Sequence, residues 1–197
     1  MSEVEQKKVR KSIKLDVAEN SVFKQFSTQF LSGMSERMRE TYNESQLHEF
    51  LKERFEFFKE ATRLSGMVRV KPCQPFSYSQ AETPFNGHVI VEISAPDAPY
   101  IVVPVEAVMR KMNILIHRKL HPIMGVVLSA EKELEEVILP EENTENFDHL
   151  YLEIEADTDI VLLRRIEPMI AGHLLAVQLV HNHRKKMLHC LESMEKE

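Results

Sequence analysis

The stretch from His88 to Met124 constrains the fold most, because its apolar pattern changes period twice. It opens with apolar residues at alternate positions, as in a strand with one face in a core. These residues are Val89, Val91 and Ile93. Residues 94–99 then contain two prolines, which cannot donate to a strand ladder, so the chain is predicted to turn there.

A short helix is predicted after this turn. Pro104 suits a first helical turn, and the apolar residues behind it recur at i, i+3, i+4 and i+7. They are Val105, Val108, Met109 and Met112. Asn113 can end the helix in the left-handed conformation. Alternation then resumes, with Ile114, Ile116 and Leu120 on one side and His117, Lys119 and His121 on the other. The whole stretch therefore predicts a strand–helix–strand unit.

Two helices are predicted ahead of this unit. An apolar stripe made of Val22, Phe23, Phe26 and Phe30 indicates a helix from about residue 17 to 31, followed by a polar stretch at 35–42. Asn43 and Gln46 form a capping-box variant before a second helix, at about 44–63. Val68 and Val70 then alternate as a short strand, and the three prolines within residues 72–87 indicate a long exposed connection.

Behind the unit, Pro122 is predicted to end or bend the strand, which can continue over 123–128 beyond a bulge at Gly125. Residues 131–148 carry eight carboxylates and one lysine, which predicts a solvated excursion. A strand at 149–156 alternates Leu150, Leu152 and Ile154 with His149, Tyr151, Glu153 and Glu155. Asp157 or Thr158 can cap a last helix that is predicted to kink or restart at Pro168 and to end on the basic residues 184–186.

The run EISAPDAPYIVVPVEAVMRKMNILIHRKLHPIM resembles the N-terminal regulatory region of the large bacterial NAD-specific glutamate dehydrogenases. The matching positions are Asp97, Pro99, Tyr100, Val102, His117, His121 and Pro122. Val103 and Pro104 replace the Asp-Ser pair that caps the helix in that family, so a side-chain cap is lost. The resemblance extends over about residues 20–195, and the initial helix pair is part of it.

The order of elements predicts an α+β fold in which helices lie on one face of a mostly antiparallel sheet. The resemblance identifies it as a ferredoxin-like, ACT-type sandwich preceded by an N-terminal helix pair. The predicted divisions are a mobile basic arm at 1–16, the helix pair at 17–64 and the ACT-like domain at 65–197, which can pack with the pair as one unit. An ACT unit usually has a fourth strand after its second helix, and we expect the strand at Val68–Val70 to fill that edge instead.

Composition excludes several classes of function. A net charge of -6 argues against nucleic acid, because binding to phosphates needs a basic surface. The chain has no apolar run of the roughly 20 residues that a membrane span needs. Cys73 and Cys190 are isolated, and the Lys-rich first 14 residues have no apolar segment, so we expect a cytoplasmic protein without a disulfide framework or secretory signal.

We predict no catalytic, cofactor-binding or metal-ligating residues in this chain. None of the five glycines lies in a phosphate-binding motif, and no nucleophile elbow is present. His117 and His121 would lie about 13 Å apart on a strand that rises about 3.3 Å per residue, too far to share one ion. They are interpreted as polar-face residues or as bonded to a neighbouring backbone. The resemblance places NAD in a catalytic domain outside this chain.

The turn after the first strand of the unit is the one candidate ligand site. It joins a strand to a helix N-terminus, whose free N–H groups and positive dipole attract a carboxylate such as that of a small amino acid. The candidate residues are Ala95, Asp97, Ala98, Pro99 and Tyr100. A rigid turn braced by proline is the favoured alternative, because Asp97 would repel an anion and can serve as a local cap.

Two functions remain open at this stage. In the first, the chain is the non-catalytic regulatory and assembly domain of a NAD-specific glutamate dehydrogenase, whose catalytic region is its partner and oxidises L-glutamate to 2-oxoglutarate. In the second, it is a free-standing ACT-like module that senses an amino acid or binds another protein, and that can self-associate through its sheet. An RNA-recognition sheet is disfavoured by the acidic charge and the lack of paired aromatic residues on a central strand.

Overall fold

The structure, a computed structural model, describes residues 21–72, 88–155 and 160–194. Five helices and six strands lie within these ranges. In chain order they are α1 (Ser21–Ser32), α2 (Glu36–Arg39), α3 (Glu44–Leu64), β1 (Met67–Pro72), β2 (His88–Pro96), α4 (Val102–Lys111), β3 (Ile116–Leu120), β4 (Ile123–Leu128), β5 (Leu134–Ile138), β6 (Glu145–Glu155) and α5 (Ile160–Met194). The predicted arm at 1–16, residues 73–87 of the connection predicted at 72–87, and the cap at Asp157 or Thr158 lie outside the described residues, whereas Pro72 ends β1.

The strands form one antiparallel sheet with the order β1-β2-β6-β4-β5, and β3 also pairs with β6. Strand β6 is long enough to hold both partners: its first half pairs with β4 and its second half with β3. The strand is interrupted between β3 and β4, at His121 and Pro122, because proline has no N–H to donate to the ladder. The predicted end or bend at Pro122 is thus confirmed, as is the α+β fold of ACT type.

Strand β1 occupies the edge that a fourth ACT strand would fill. It runs antiparallel to β2, with Val68 opposite Ile93 and Val70 opposite Val91. The prediction made for this strand is confirmed. A segment that precedes the strand–helix–strand unit therefore completes its sheet.

Each face of the sheet carries its own layer of helices. One face is covered by α4 and α5, and its core is mainly aliphatic. Its buried residues are Val89, Val91, Ile93, Ala95, Ala98, Ile101, Val105, Val108, Met109, Ile114, Leu150, Leu152, Ile154, Ile166, Ile170 and Leu174. We call this side the aliphatic face. The alternation predicted for β2 and β6 is confirmed here.

The opposite face is covered by α1, α2 and α3, so the helix pair is packed directly onto the sheet. Its core is rich in aromatic residues: Phe23, Phe26, Phe30, Phe50, Phe55, Phe58, Tyr42, Phe147 and Tyr151 belong to one buried cluster. We call this side the aromatic face. The predicted polar side of β6 lies under these helices, and only Glu155 among its four members remains exposed.

Several helix ends agree with those predicted from the sequence. The capping box of α3 is formed, with the Asn43 side chain accepting from the Gln46 N–H and the Gln46 side chain accepting from the Asn43 N–H. Helix α4 begins after Ile101 without a side-chain cap, in agreement with the missing Asp-Ser pair. Asn113 has a φ of 55°, the left-handed conformation predicted for it.

Three local predictions were wrong. The polar stretch at 35–42 contains α2, because Ser35 caps its first turn and Met38 is buried. The acidic segment is not only a solvated excursion, since it contains β5, whose Val137 is buried while its glutamates are exposed. The register is regular at Gly125 and shifts instead beyond Val127. Glycine is needed there because a Cβ would lie 2.8 Å from the Leu139 carbonyl oxygen.

The last helix also differs from the sequence prediction. Of the kink or restart predicted beside Glu167, the restart is wrong, because one helix of 35 residues runs through Pro168. The basic residues 184–186 therefore lie inside the helix and not in its last turn. Among its described side chains, Ile166, Ile170 and Leu174, which lie in the first half of the helix, are buried against the sheet.

Candidate ligand site and the buried charge network

The predicted ligand turn connects β2 to α4 and is anchored to β6. Ala95 lies opposite Asp148 in the ladder, and both Ala95 and Ala98 are buried. The Asp97 N–H donates to the Asn146 carbonyl over 2.8 Å. That N–H is therefore already used within the chain, and Ala95 and Ala98 serve packing.

Pro99 and Tyr100 form the outer part of the turn. Tyr100 is 76% exposed and has a φ of 73°, a conformation that is uncommon for a bulky residue. It is therefore not a packing aromatic within the described chain. The structure brings the Tyr100 ring and the uncapped start of α4 to the same exposed corner of the sheet.

A carboxyl pair lies at the inner end of the turn. Burial, the charge of Asp148 and a hydrogen bond with that residue together raise the pKa of Asp97, and His121 and His181 oppose the rise. Asp148 is itself almost fully buried and lies 2.6 Å from His121, measured from carboxylate oxygen to Nε2. His121, interpreted from sequence as a polar-face or backbone-bonded residue, is instead the hydrogen-bond partner of this carboxylate.

The chemistry of this corner disfavours a phosphate or a dinucleotide. A pyrophosphate needs unoccupied N–H donors, whereas the turn presents two carboxyl groups and an N–H that is already bonded. Carboxyl oxygens can accept hydrogen bonds from an ammonium group. The arrangement therefore fits the amino group of an amino acid better than its carboxylate.

A second polar group is buried on the aromatic face, between β2 and α3. Glu92 is fully buried, and its carboxylate lies 2.5 Å from the Arg54 Nε. Arg69 of β1 donates to the other carboxylate oxygen through two nitrogens. Burial alone would raise the pKa of Glu92, but the charges of the two arginines outweigh it and hold the pKa below its usual value.

Aromatic rings hold these arginines in place. The Arg54 guanidinium lies 4.7 Å from the centre of the Phe50 ring and 5.3 Å from that of Tyr151. Arg69 lies 4.6 Å from the Phe57 ring. Cation–π contacts of this kind strengthen when water is excluded. Sequence reasoning did not identify this network, although a glutamate between Val91 and Ile93 in a strand core was its one visible signal.

His149 lies next to this network in a cage of phenylalanines. The rings of Phe26, Phe30, Phe57 and Phe58 surround it edge-on at 5.6 to 6.0 Å. Within the described residues neither ring nitrogen has a hydrogen-bond partner. Burial lowers the pKa of His149 to about 4, even though Glu92 acts in the opposite direction. The imidazole is therefore neutral at physiological pH.

A third buried group lies towards the end of β6. The Tyr151 hydroxyl donates to Glu153 over 2.8 Å, and Arg118 of β3 lies 3.5 Å from the same carboxylate oxygen. Burial, together with the Glu153 charge, raises the pKa of Tyr151 well above its usual value. These contacts join β3 to β6 through charges as well as through the ladder.

An open cleft of about 320 Å³ lies beside Arg69, between α3 and the turn that joins β4 to β5. Its walls carry charges of both signs, including Lys59, Arg63 and Glu133. Lys59 is already paired with Glu56 at 3.0 Å. The cleft is a solvated surface with internal ion pairs.

Histidines and acids do not converge on a metal position in ranges 21–72, 88–155 and 160–194, where no group of three or more potential ligands is found. His117 lies 3.6 Å from Glu155, and the His183 ring bonds the Leu179 carbonyl. No helix in the part of the chain that the structure describes is long and apolar enough to cross a membrane.

The antiparallel sheet, the strand–helix–strand unit and the two helices on one face define an ACT-type α+β domain. A family model described as "Glutamate dehydrogenase, ACT1 domain" matches residues 26–170, which is more than half of the chain. The chain therefore belongs to this glutamate dehydrogenase ACT1 domain family, and it is a regulatory domain associated with glutamate dehydrogenase. No curated protein and no solved structure matches it.

Proposed function

We propose that this chain is the N-terminal regulatory and assembly domain of a large NAD-specific glutamate dehydrogenase, and that it does not itself catalyse the reaction. The family match over residues 26–170 is the observation that supports this proposal. The reaction would be the oxidative deamination of L-glutamate to 2-oxoglutarate, with NAD bound by a catalytic region that is this domain's partner. A cytoplasmic location remains a prediction from the two isolated cysteines.

Co-purification and kinetics test the proposal together. The tagged chain is co-expressed with the catalytic region of such a dehydrogenase, and NADH formation from L-glutamate is followed with and without the chain. We expect a stable complex and a changed KM or cooperativity. A catalytic region that neither binds the chain nor changes its kinetics would contradict the proposal.

The second candidate function is a free-standing amino-acid sensor. The carboxyl pair of Asp97 and Asp148 beside the uncapped start of α4 favours it, because together they offer partners for both charged groups of an amino acid. The interpretation favoured from the sequence, a rigid turn that binds no ligand, remains the alternative to this sensor.

Calorimetric titration with the common amino acids separates the sensor from the rigid turn. A sensor gives a saturable heat that is lost in Asp97→Asn and retained in Glu142→Gln, a carboxylate on an exposed loop. If no amino acid produces a saturable heat, the turn has only a structural role. The same titration reports nothing about the dehydrogenase complex, so the two candidates can fail separately.

A further inference from the structure

One side of strands β4 and β5 lies outside both cores of the domain. The buried residues of these strands, Met124, Val126 and Val137, belong to the aromatic cluster. Because side chains alternate along a strand, their neighbours point to the opposite side of the sheet. Within the described residues, the core under α4 and α5 contains no residue of either strand. The neighbours are Ile123, Val127 and Ile138, which we call, together with Leu139, the bare strip.

The bare strip is apolar and open to solvent. Leu139, which follows β5 directly, is 65% exposed, and Ile123 and Val127 are 37% and 38% exposed. The Leu139 backbone crosses this side of the sheet, because a Cβ added to Gly125 would lie 2.8 Å from its carbonyl oxygen. Single exposed apolar residues are normal on a protein surface, whereas several on neighbouring strands form a patch that a further segment can cover.

Carboxylates border the bare strip. Residues 131–145 carry seven glutamates and one lysine, and all seven glutamates are exposed. Glu136 lies opposite Val127 in the ladder and therefore on the same side as the strip. The one lysine, Lys132, is turned to the Ser65 hydroxyl, 3.2 Å away. A second copy of this chain would place two such borders against each other, so the charge around the strip favours a basic occupant.

The chain itself contains a segment of the opposite charge. Residues 7–14, KKVRKSIK, carry five lysines or arginines and no acidic residue, and we call them the basic segment. Its two branched apolar residues, Val9 and Ile13, are four positions apart, so they share one side in a helix as well as in a strand. The basic segment therefore combines an apolar side with positive charge, which is complementary to the bare strip and its border.

The chain enters the described domain next to the bare strip. Ser21 begins α1, and Gln25, about one helical turn further on, accepts from the Val137 N–H of β5 over 3.1 Å. At about 1.5 Å of rise per residue, Ser21 lies about 6 Å along the helix from that contact. The preceding residues therefore join the domain near the outer edge of β5, and the bare strip is on the other side of the same strand.

We propose that the basic segment docks on the bare strip of its own chain. Val9 and Ile13 would contact the apolar residues of the strip, and the basic side chains would pair with the bordering glutamates. Residues 15–20 can span about 20 Å when extended, which is enough to carry the segment round β5. Because a tethered segment has an effective concentration on the order of millimolar, a small patch is enough to hold it.

Trypsin measures this docking, because every basic residue of the segment is a potential cleavage site. Initial cleavage within residues 7–14 of the complete chain is followed by mass spectrometry, with a free peptide of residues 1–20 as the unprotected reference. We expect cleavage of the chain to be at least tenfold slower than that of the peptide. Raised salt should speed cleavage of the chain relative to the peptide, because salt screens exposed charge pairs.

Variants of the sheet locate the surface without changing the basic segment. Val127→Asn with Leu139→Asn should remove most of the protection, whereas Leu115→Asn, at a leucine with 64% exposure outside the strip, should retain it. Leu139→Asn alone lies outside the ladder and serves if the double variant does not fold, which circular dichroism reports. Glu136→Gln should speed cleavage, and Glu49→Gln, at an exposed glutamate of α3, should not change it.

Three results would overturn the proposal. Cleavage at the rate of the free peptide would show that the segment is the mobile arm predicted from the sequence. Equal protection in the Leu139 and Leu115 variants would show that it binds elsewhere. Protection that rises with protein concentration would identify a second copy as its binding partner. None of these results bears on the dehydrogenase complex or on amino-acid binding, so this inference can fail on its own.

Discussion

The two faces of the sheet are stabilised by different interactions. On the aliphatic face, β2 and β6 meet α4 and α5 through branched apolar side chains, so stability there comes from burial and close packing. On the aromatic face the same strands present Glu92, His149 and Glu153 to α3 and β3, and all three are fully buried. Buried charges therefore contribute to the attachment of the helix pair, whereas the core under α4 and α5 is apolar.

This difference has a consequence for regulation. A purely apolar interface responds weakly to pH and salt, whereas a buried ion pair fails as a unit when either partner is lost. The helix pair is therefore the layer that a change of protonation or of charge can loosen. We expect the apolar core under α4 and α5 to keep its geometry under the same conditions.

Breaking the Arg54–Glu92 pair should have the largest effect. Glu92→Gln leaves the fully buried Arg54 guanidinium with only the partly exposed Glu53 as a counter-charge and also removes the carboxylate that Arg69 contacts, which should cost about 4 kcal/mol of unfolding free energy. Urea unfolding followed by circular dichroism measures it. The double variant Arg54→Met with Glu92→Leu should recover most of the loss, because no fully buried charge remains, and Arg69, which also loses Glu92, is partly exposed and lies 4.0 Å from Glu53. If Glu92→Gln lowered the unfolding free energy by less than about 1 kcal/mol, the ion pair would not stabilise the aromatic face in this way.

On the aliphatic face, the substitution to compare with Glu92→Gln is Leu152→Ala. Leu152 is fully buried on β6, and its truncation should cost about 3 kcal/mol through lost contacts and a cavity. The loss should be equal at pH 7 and pH 5, because only apolar groups are involved. A loss that changes with pH would show that the two faces are not separate.

The sequence predicts which residues of a strand face the core, but it does not predict what covers the other side of that strand. Alternation in β2 and β6 gave their inward apolar sides correctly, and a strand early in the chain was correctly assigned to the open edge. Alternation does not show whether the second side of a strand meets water or another layer. His149 and Tyr151 were therefore interpreted as a polar side, although α1 and α3 bury them.

The candidate sites could not be predicted either, because their residues are distant in the sequence. Glu92 becomes interpretable only when Arg54, 38 positions earlier on α3, is placed against it. Asp97 and Asp148 come together because the register sets Ala95 opposite Asp148, and no short-range pattern specifies that register. By contrast, the Asn43 cap and the left-handed Asn113 depend on neighbouring residues, and both were predicted.

Acid should loosen the aromatic face through His149. Its pKa is about 4 in the folded chain, against about 6.5 when unfolded, so the unfolded state binds more protons between these values. Stability is therefore complete above about pH 6.5 and falls by about 3 kcal/mol as pH drops to about 4. Thermal unfolding across this range measures the slope.

Two variants identify the source of this slope. His149→Leu should flatten it between pH 6.5 and 4, whereas Leu152→Ala, at an apolar residue of the other face, should not change it. Glu92 has a lowered pKa, so its contribution is lost only at more acidic pH and does not imitate that of His149. An unchanged slope in His149→Leu would assign the pH dependence to other groups.

The capping box at the start of α3 should give the smallest effect. Asn43→Ala removes the side-chain acceptor for the Gln46 N–H and should cost about 1 kcal/mol in urea unfolding. Asn43→Ser keeps a capping oxygen, so it should stay within a few tenths of a kcal/mol of the parent chain. The cap lies at an exposed helix end and not under the sheet, so its loss should not change the pH slope set by His149. If Asn43→Ala did alter that slope, the start of α3 would be coupled to the buried histidine, and the aromatic face would respond as one cooperative unit from the cap to the sheet.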